Sequence, residues 1–229
     1  MGDTFRRREL CNLNDPQEGE LCLQIAGESL TNSEWTLIGG KPSANYMDLD
    51  NFLCHQENVK KILELLTQKI KWLSGFLSFE KIALIDKAGP GPVGLITMFG
   101  ALSMSLEKDL MIVRPRKQLL QAATKGLFNR DDRVLLLSDV ATEGWTIFQA
   151  AESIRSCGAK VPYALVVYDR GEGATVNLGR KGIELFSLFS SITLKNLKAS
   201  DLESRYGKVI QVPTPQLIDF GGVALTVAG

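Results

Sequence analysis

Between residues 56 and 73 the apolar side chains fall at Val59, Ile62, Leu63, Leu65, Leu66, Ile70 and Leu73. Steps of three and four put them on one face of a helix whose outer face is rich in lysine. Downstream the pattern changes to short, continuous apolar runs: KIALID at 81–86, LMIV at 110–113, RVLLL at 133–137, YALVVY at 163–168 and IELFSLF at 183–189. Helical stretches at 93–106 and 145–157, and a short one after residue 169, separate them. Apolar strands alternating with helices predict a parallel sheet covered on both faces. The expected fold is a doubly wound, mostly parallel α/β sheet with no internal repeat. In such sheets ligands sit beyond the carboxyl ends of the strands, which makes 86–94, 138–146 and 169–177 the segments to examine for a site.

A chain of 229 residues is longer than one domain of about 150, but too short for two full ones. Residues 1–30 combine a basic run, Arg6 to Arg8, with a polar stretch at 12–20, and read as a peripheral N-terminal segment. Residues 31–229 read as the main domain. With 45% hydrophobic and 23% charged residues, the chain is ordinary globular material rather than disordered or fibrous. Its 26 basic and 26 acidic residues cancel, so no overall field gathers nucleic acid or anionic lipid, and an anionic ligand has to be held locally. No apolar run reaches the roughly 18 residues of a membrane span, and the first ten residues lack a signal-peptide core. A cytoplasmic protein without nucleic-acid or membrane partners is expected. The four cysteines form no Cys-x-x-Cys pair, and His55 is the one histidine, which argues against a resident metal–thiolate centre. His55 follows Cys54 directly, and adjacency does not make a catalytic dyad, so a capping or surface role is expected for it.

The segment VLLLSDVATEGWTI at 134–147 runs from a buried strand through a short polar loop into a helix. Free N–H groups at a helix start, with the positive end of its dipole, can cradle a phosphate, and Gly144 allows close backbone approach. Asp139 stands at the strand end, where a carboxylate can accept hydrogen bonds from ribose hydroxyls, and Thr142 and Thr146 can donate to phosphate oxygens. The competing reading is that Asp139 caps a turn and the threonines satisfy backbone groups.

This segment resembles the signature of the type I phosphoribosyltransferases: a buried strand, two acidic residues, two aliphatic residues, two Ser/Thr, glycine, a variable residue and Ser/Thr. Asp139, Val140, Ala141, Thr142, Glu143, Gly144 and Thr146 fall on that frame. The resemblance implies that they bind the ribose and 5-phosphate of phosphoribosyl pyrophosphate (PRPP). The stretch VVYDRGEGATVNLGRKGIELFSLF at 166–189 is similar to the orotate phosphoribosyltransferase branch, with its Asp-Arg, glycine, Asn-Leu and Gly-Ile landmarks. So is WTLIGGKPSANYMDL at 35–49. The resemblance covers roughly residues 33–200. It implies a type I phosphoribosyltransferase fold with a small hood of N-terminal elements, PRPP carrying magnesium, a homodimer, and a base contact from Arg170. It also aligns Lys87, Ala88 and Gly89 with the pyrophosphate loop.

Six departures bear on activity. Ser138 replaces the first ribose carboxylate, and Glu143 replaces the second Ser/Thr of the phosphate loop. A carboxylate about 4 Å from a phosphate is opposed by roughly 4 kcal/mol per unit charge at an effective dielectric near 20. Glu143 either points to solvent or turns inward and fills the hole at the helix N-terminus itself. Ile38 and Asp50 stand where the branch carries lysine and arginine, and Asp86 brings a carboxylate to the pyrophosphate loop. The mobile loop of the branch has a His-Gly pair, whereas 114–132 reads RPRKQLLQAATKGLFNRDD. There Arg114, Arg116 and Lys117 keep positive charge that suits departing pyrophosphate, while Pro115 and the helix-favouring QLLQAATK suggest a shorter, stiffer element. A solvated basic cluster is the alternative for these three, a rigid turn the alternative for 89–92, and a structural salt bridge the alternative for Arg170.

Two functions follow. One is a diverged orotate-phosphoribosyltransferase-like protein that keeps the fold and a nucleotide or base site with weak or absent turnover. The other is an active transferase that places phosphoribose on an acidic pyrimidine-like base, with Arg116, Lys117 and Asp139 as catalytic residues.

Overall fold

The computed structural model describes residues 9–12, 14–31, 35–36, 42–43, 46–86, 93–115, 124–126, 128–194 and 204–205. The elements in chain order are α1 (Pro16–Ser29), β1 (Leu30–Thr31), β2 (Trp35–Thr36), β3 (Pro42–Ser43), β4 (Tyr46–Met47), α2 (Leu49–Leu53) and α3 (Gln56–Ser74). They continue as β5 (Lys81–Ile85), α4 (Val93–Leu106), β6 (Leu110–Val113), β7 (Thr124–Lys125), β8 (Arg133–Ala141), α5 (Trp145–Arg155), β9 (Lys160–Asp169), α6 (Ala174–Gly179) and β10 (Glu184–Ser190).

The main sheet has the order β10-β9-β8-β5-β6-β7. All of its pairs are parallel except β6 with β7, which is antiparallel. The apolar runs therefore become the expected parallel strands. Their alternation splits the core in two. On one face Ile82, Leu84, Leu135, Leu137, Leu165, Val167, Phe186 and Leu188 pack with α1 to α4. On the other, Ala83, Ile85, Val134, Leu136, Ala164, Val166 and Leu185 pack with α5 and α6. The face of α3 read from the sequence is the face it buries, through Ile62, Leu65, Leu66, Ile70 and Leu73. His55 takes the N-cap position of α3 and makes no side-chain capping bond.

The N-terminal elements are bound into this body. Asp15 caps α1 by accepting from the N–H groups of Gln17 and Glu18, and Pro16 opens the helix where no N–H is needed. Cys22, Ile25, Ala26 and Leu30 are fully buried in the same cluster as the sheet, so packing runs straight through residue 30. The neighbouring Cys11 thiol, together with burial, pushes the Cys22 thiol far up, which keeps it neutral and unreactive. Ahead of α1, Glu9 bridges to Ser187, while Leu10 and Cys11 donate backbone hydrogen bonds to the carbonyls of Ser187 and Leu188. This short segment covers the outer edge of β10, which would otherwise present open backbone groups.

Most of the helix-favouring QLLQAATK lies outside the described residues. Thr124 and Lys125, at the end of the helix-favouring QLLQAATK, form β7 against Val113 and Ile112. Pairing with the free edge of β6 satisfies backbone groups that a helix there would leave open, and it outweighs a weak local preference.

The Glu9 carboxylate accepts hydrogen bonds from the Ser190 and Thr193 hydroxyls at the end of β10. Glu9→Ala should lower the urea midpoint by the equivalent of about 2 kcal/mol, with an unchanged slope. An unchanged midpoint would show that this tie contributes no stability.

Candidate functional site

The chain leaves β5 toward β6 on one side and returns as β8 on the other. The loops following β5 and β8 therefore diverge at one end of the sheet, which opens a crevice at a topological switch point. The segments at 86, 141–145 and 169–174 all lie beyond carboxyl ends of parallel strands.

The loop between β8 and α5 holds three residues, Thr142, Glu143 and Gly144. Gly144 is the N-cap of α5 with φ 90°, and a Cβ there would lie 2.9 Å from Cγ of Leu178. No other residue fits this left-handed, crowded position without displacement. The carbonyls of Ala141, Thr142 and Glu143 all face one neighbour. Ala141 O accepts from the Arg170 N–H at 3.0 Å and Thr142 O from the Ala174 N–H at 3.2 Å. Glu143 O accepts from the side-chain amide of Asn177 at 3.0 Å. In a trans peptide the C=O and the following N–H point in opposite directions. Turning these three carbonyls to the β9–α6 segment thus turns the N–H groups of Thr142, Glu143 and Gly144 away from it. Together with the helix start at Trp145 and Thr146, they can surround an anion.

At the end of β8, Oδ1 of Asp139 accepts from the Ser138 hydroxyl at 2.9 Å and from the Val140 N–H at 2.7 Å. Ser138 is buried, and its hydroxyl braces the carboxylate beside it. Asp139, Val140, Thr142, Glu143 and Thr146 are half-buried, while Ala141 and Gly144 are buried.

Across the crevice, Asp86 follows β5 and is held by the Val113 carbonyl through its N–H. Its Oδ2 lies 2.6 Å from Nε of Arg114, at the end of β6. The carboxylate that the resemblance aligns with the pyrophosphate loop therefore meets the Arg114 guanidinium. The other residues expected there, Lys87, Ala88 and Gly89, lie outside the described residues, as do Arg116, Lys117 and Ile38.

Arg170 follows β9 and is 6% exposed. Its Nη2 is 2.6 Å from Oε1 of Glu172, and its carbonyl accepts from the Ser191 hydroxyl at 2.7 Å. The salt bridge weighed from the sequence is present. It removes the charge penalty that a buried lone guanidinium would carry. Asp169, next to it, is the aspartate of the Asp-Arg landmark, to which the sequence alone assigns no role. Its carboxylate accepts from the Gly171 N–H at 2.9 Å and the Thr175 hydroxyl at 3.3 Å, which folds the chain back into α6. Burial holds the Asp169 carboxyl above the usual aspartate range, against the lowering effect of these two donors. An aspartate at a strand end with glycine two residues on was the available signal, because it is the pattern of an Asx-turn. Asn177 was missed as well, for its role depends on a carbonyl 34 residues earlier in the chain.

Among the described residues no group of three His, Cys, Asp or Glu side chains is placed to hold a metal, and no helix is long and apolar enough to cross a membrane.

No family model matches the chain. Individual relatives do. An orotate phosphoribosyltransferase of Pyrococcus horikoshii is 33% identical over 67% of this chain and 80% of its own. One of Methanocaldococcus jannaschii is 30% identical over 73% of this chain and 88% of its own. The crystal structure of orotate phosphoribosyltransferase from Aeropyrum pernix superposes with a TM-score of 0.61 at 26% identity, covering 84% of this chain and 99% of that one. The fold, the switch-point crevice and this similarity along most of both sequences agree, and the chain belongs to the orotate phosphoribosyltransferase family.

Proposed function

We propose that the protein binds PRPP with magnesium and transfers its phosphoribosyl group to orotate, releasing pyrophosphate. The observation that carries this reading is the loop at 142–144. Its three preceding carbonyls are committed to the β9–α6 segment, and its N–H groups are turned the other way, at the start of an 11-residue helix. That is a cradle for the 5-phosphate. Asp139, braced by Ser138, would accept from the ribose hydroxyls and favour positive charge on the ring as the bond from C1 to pyrophosphate lengthens. Arg170, with Glu172 fixing its guanidinium, would meet the acidic base. Lys87, Ala88 and Gly89, with Arg116 and Lys117, would hold the departing pyrophosphate.

Magnesium would arrive with the substrate. The donors the site offers, the Asp139 carboxylate above all, are the hard oxygens this ion prefers, and they fit an ion that stays mainly on the diphosphate. The ion would neutralise charge on the leaving group.

The Asp86–Arg114 pair supports this reading over loss of function, since it cancels the one carboxylate added beside the pyrophosphate loop. A second reading, a fold-retaining relative with weak or absent turnover, rests on Ser138 in place of a ribose carboxylate and on Glu143 within the phosphate loop. The chain would act in the cytoplasm, in keeping with its free cysteines. It would act as a homodimer, and exposed Trp72, Phe76 and Met104 supply apolar surface of the kind that partners cover.

Steady-state pyrophosphate release should depend on PRPP, magnesium and orotate together. Absent turnover, with or without retained PRPP binding, would select the second reading, and measurable turnover would sink it. Glu143→Thr should tighten PRPP binding about fivefold by removing a repulsive charge. Weaker binding in that variant would mean that Glu143 assists the substrate. Sedimentation should give twice the 25.2 kDa chain mass, and a monomer at enzyme-assay concentrations would refute the dimer.

A further inference from the structure

Gly144 creates a problem that its own loop cannot solve. The position needs glycine, because φ is 90° and Leu178 leaves no room for a Cβ. Glycine, however, visits positive and negative φ with similar ease, so the peptide joining Glu143 to Gly144 can rotate at little cost. Rotated by half a turn, that peptide would aim a carbonyl oxygen where the N–H should be. A partial negative charge would then face the phosphate.

Two of the three hydrogen bonds that hold the loop come from main-chain N–H groups, of Arg170 and Ala174, and any residue could supply them. The third, on the Glu143 carbonyl, comes from the Asn177 side chain at 3.0 Å. It falls on the peptide that glycine leaves loose. Asn177 is 1% exposed, and its backbone N–H donates to the Gly173 carbonyl at 3.0 Å. The start of its helix is itself pinned, through Thr175, to the Asp169 carboxylate. The amide is thus delivered from a fixed support, and the adjacent Leu178 packs beneath Gly144 from the same helix.

We infer that Asn177 is a positioning residue for the phosphate site: by holding the Glu143 carbonyl it blocks rotation of the Glu143–Gly144 peptide and keeps the Gly144 N–H turned toward a phosphate monoester. The inference deepens the proposed PRPP site and rests on it for the identity of the ligand. The lock itself can be tested without ligand. Substitution of Asn177 should loosen phosphate binding while leaving the base side of the site in place.

The full-length chain with Asn177→Ala and Asn177→Leu provides the test, leucine being included because it restores the buried volume without the donor. In the ligand-free protein, 15N relaxation should show a rigid Gly144 amide in the wild type. In both variants it should show microsecond-to-millisecond exchange at Gly144 and Trp145, with the β8 amides unchanged. With PRPP and magnesium, the variants should bind about tenfold more weakly. In turnover, KM for PRPP should rise by a similar factor while KM for orotate stays constant, a split that general loss of stability would not produce. Flat relaxation at Gly144 in both variants, or unchanged PRPP affinity where the wild type binds, overturns the inference and leaves the transferase reading intact. A wild type that does not bind PRPP sinks the transferase reading, and the relaxation result then decides the lock by itself.

Discussion

Strand β8 fixes the site because it is tied on both sides and buried on both faces. It pairs in parallel with β5 through Lys81↔Val134 to Leu84↔Leu137, and with β9 through Leu135↔Tyr163 to Ala141↔Asp169. Val134 to Leu137 are buried between the two helical layers. A shift of register by one residue would move each side chain to the opposite layer, so the strand has one place to end. Asp139, the loop at 142–144 and α5 take their positions from that end. The β9–α6 segment then takes up the carbonyls that the loop cannot satisfy internally, and a three-residue connection is held in a single shape.

Charge at the crevice is handled by local pairing. The chain has no net charge to lend, and three carboxylates there have donors beside them: Asp86 meets Arg114, Glu172 meets Arg170, and Asp139 meets the Ser138 hydroxyl. Each pair limits the repulsion that a dianionic or more highly charged substrate would feel, because a paired carboxylate presents a dipole in place of a bare charge. The change from carboxylate to hydroxyl at Ser138 has two consequences. It adds a donor that orients the Asp139 carboxylate, and in the proposed PRPP site it would leave one acceptor fewer for ribose.

The sheet was legible because burial on both faces leaves an unmistakable record: KIALI, VLLL and ALVV are continuous apolar runs that neither an amphipathic helix nor a half-exposed strand would produce. The turn at 142–144 was legible because its elements are contiguous, a strand, a glycine and a helix start within about a dozen residues. Three features were not. The edge cover at Glu9 to Cys11 carries no local signal, since its pairing with β10 spans nearly the whole chain. Thr124 and Lys125 end a helix-favouring run and pair by tertiary opportunity. Asn177 reads as one landmark among others until its amide is seen against the Glu143 carbonyl. Contacts between distant segments, satisfying single backbone groups, are what a one-dimensional pattern does not encode.

If the N–H groups at 142–146 face a bound phosphate because the carbonyls before them are held elsewhere, backbone amide shifts will report it as PRPP with magnesium is added to the 229-residue chain. Saturable changes should be largest at Thr142, Glu143, Gly144, Trp145 and Thr146. Saturable changes centred elsewhere, or none in this segment, would contradict it.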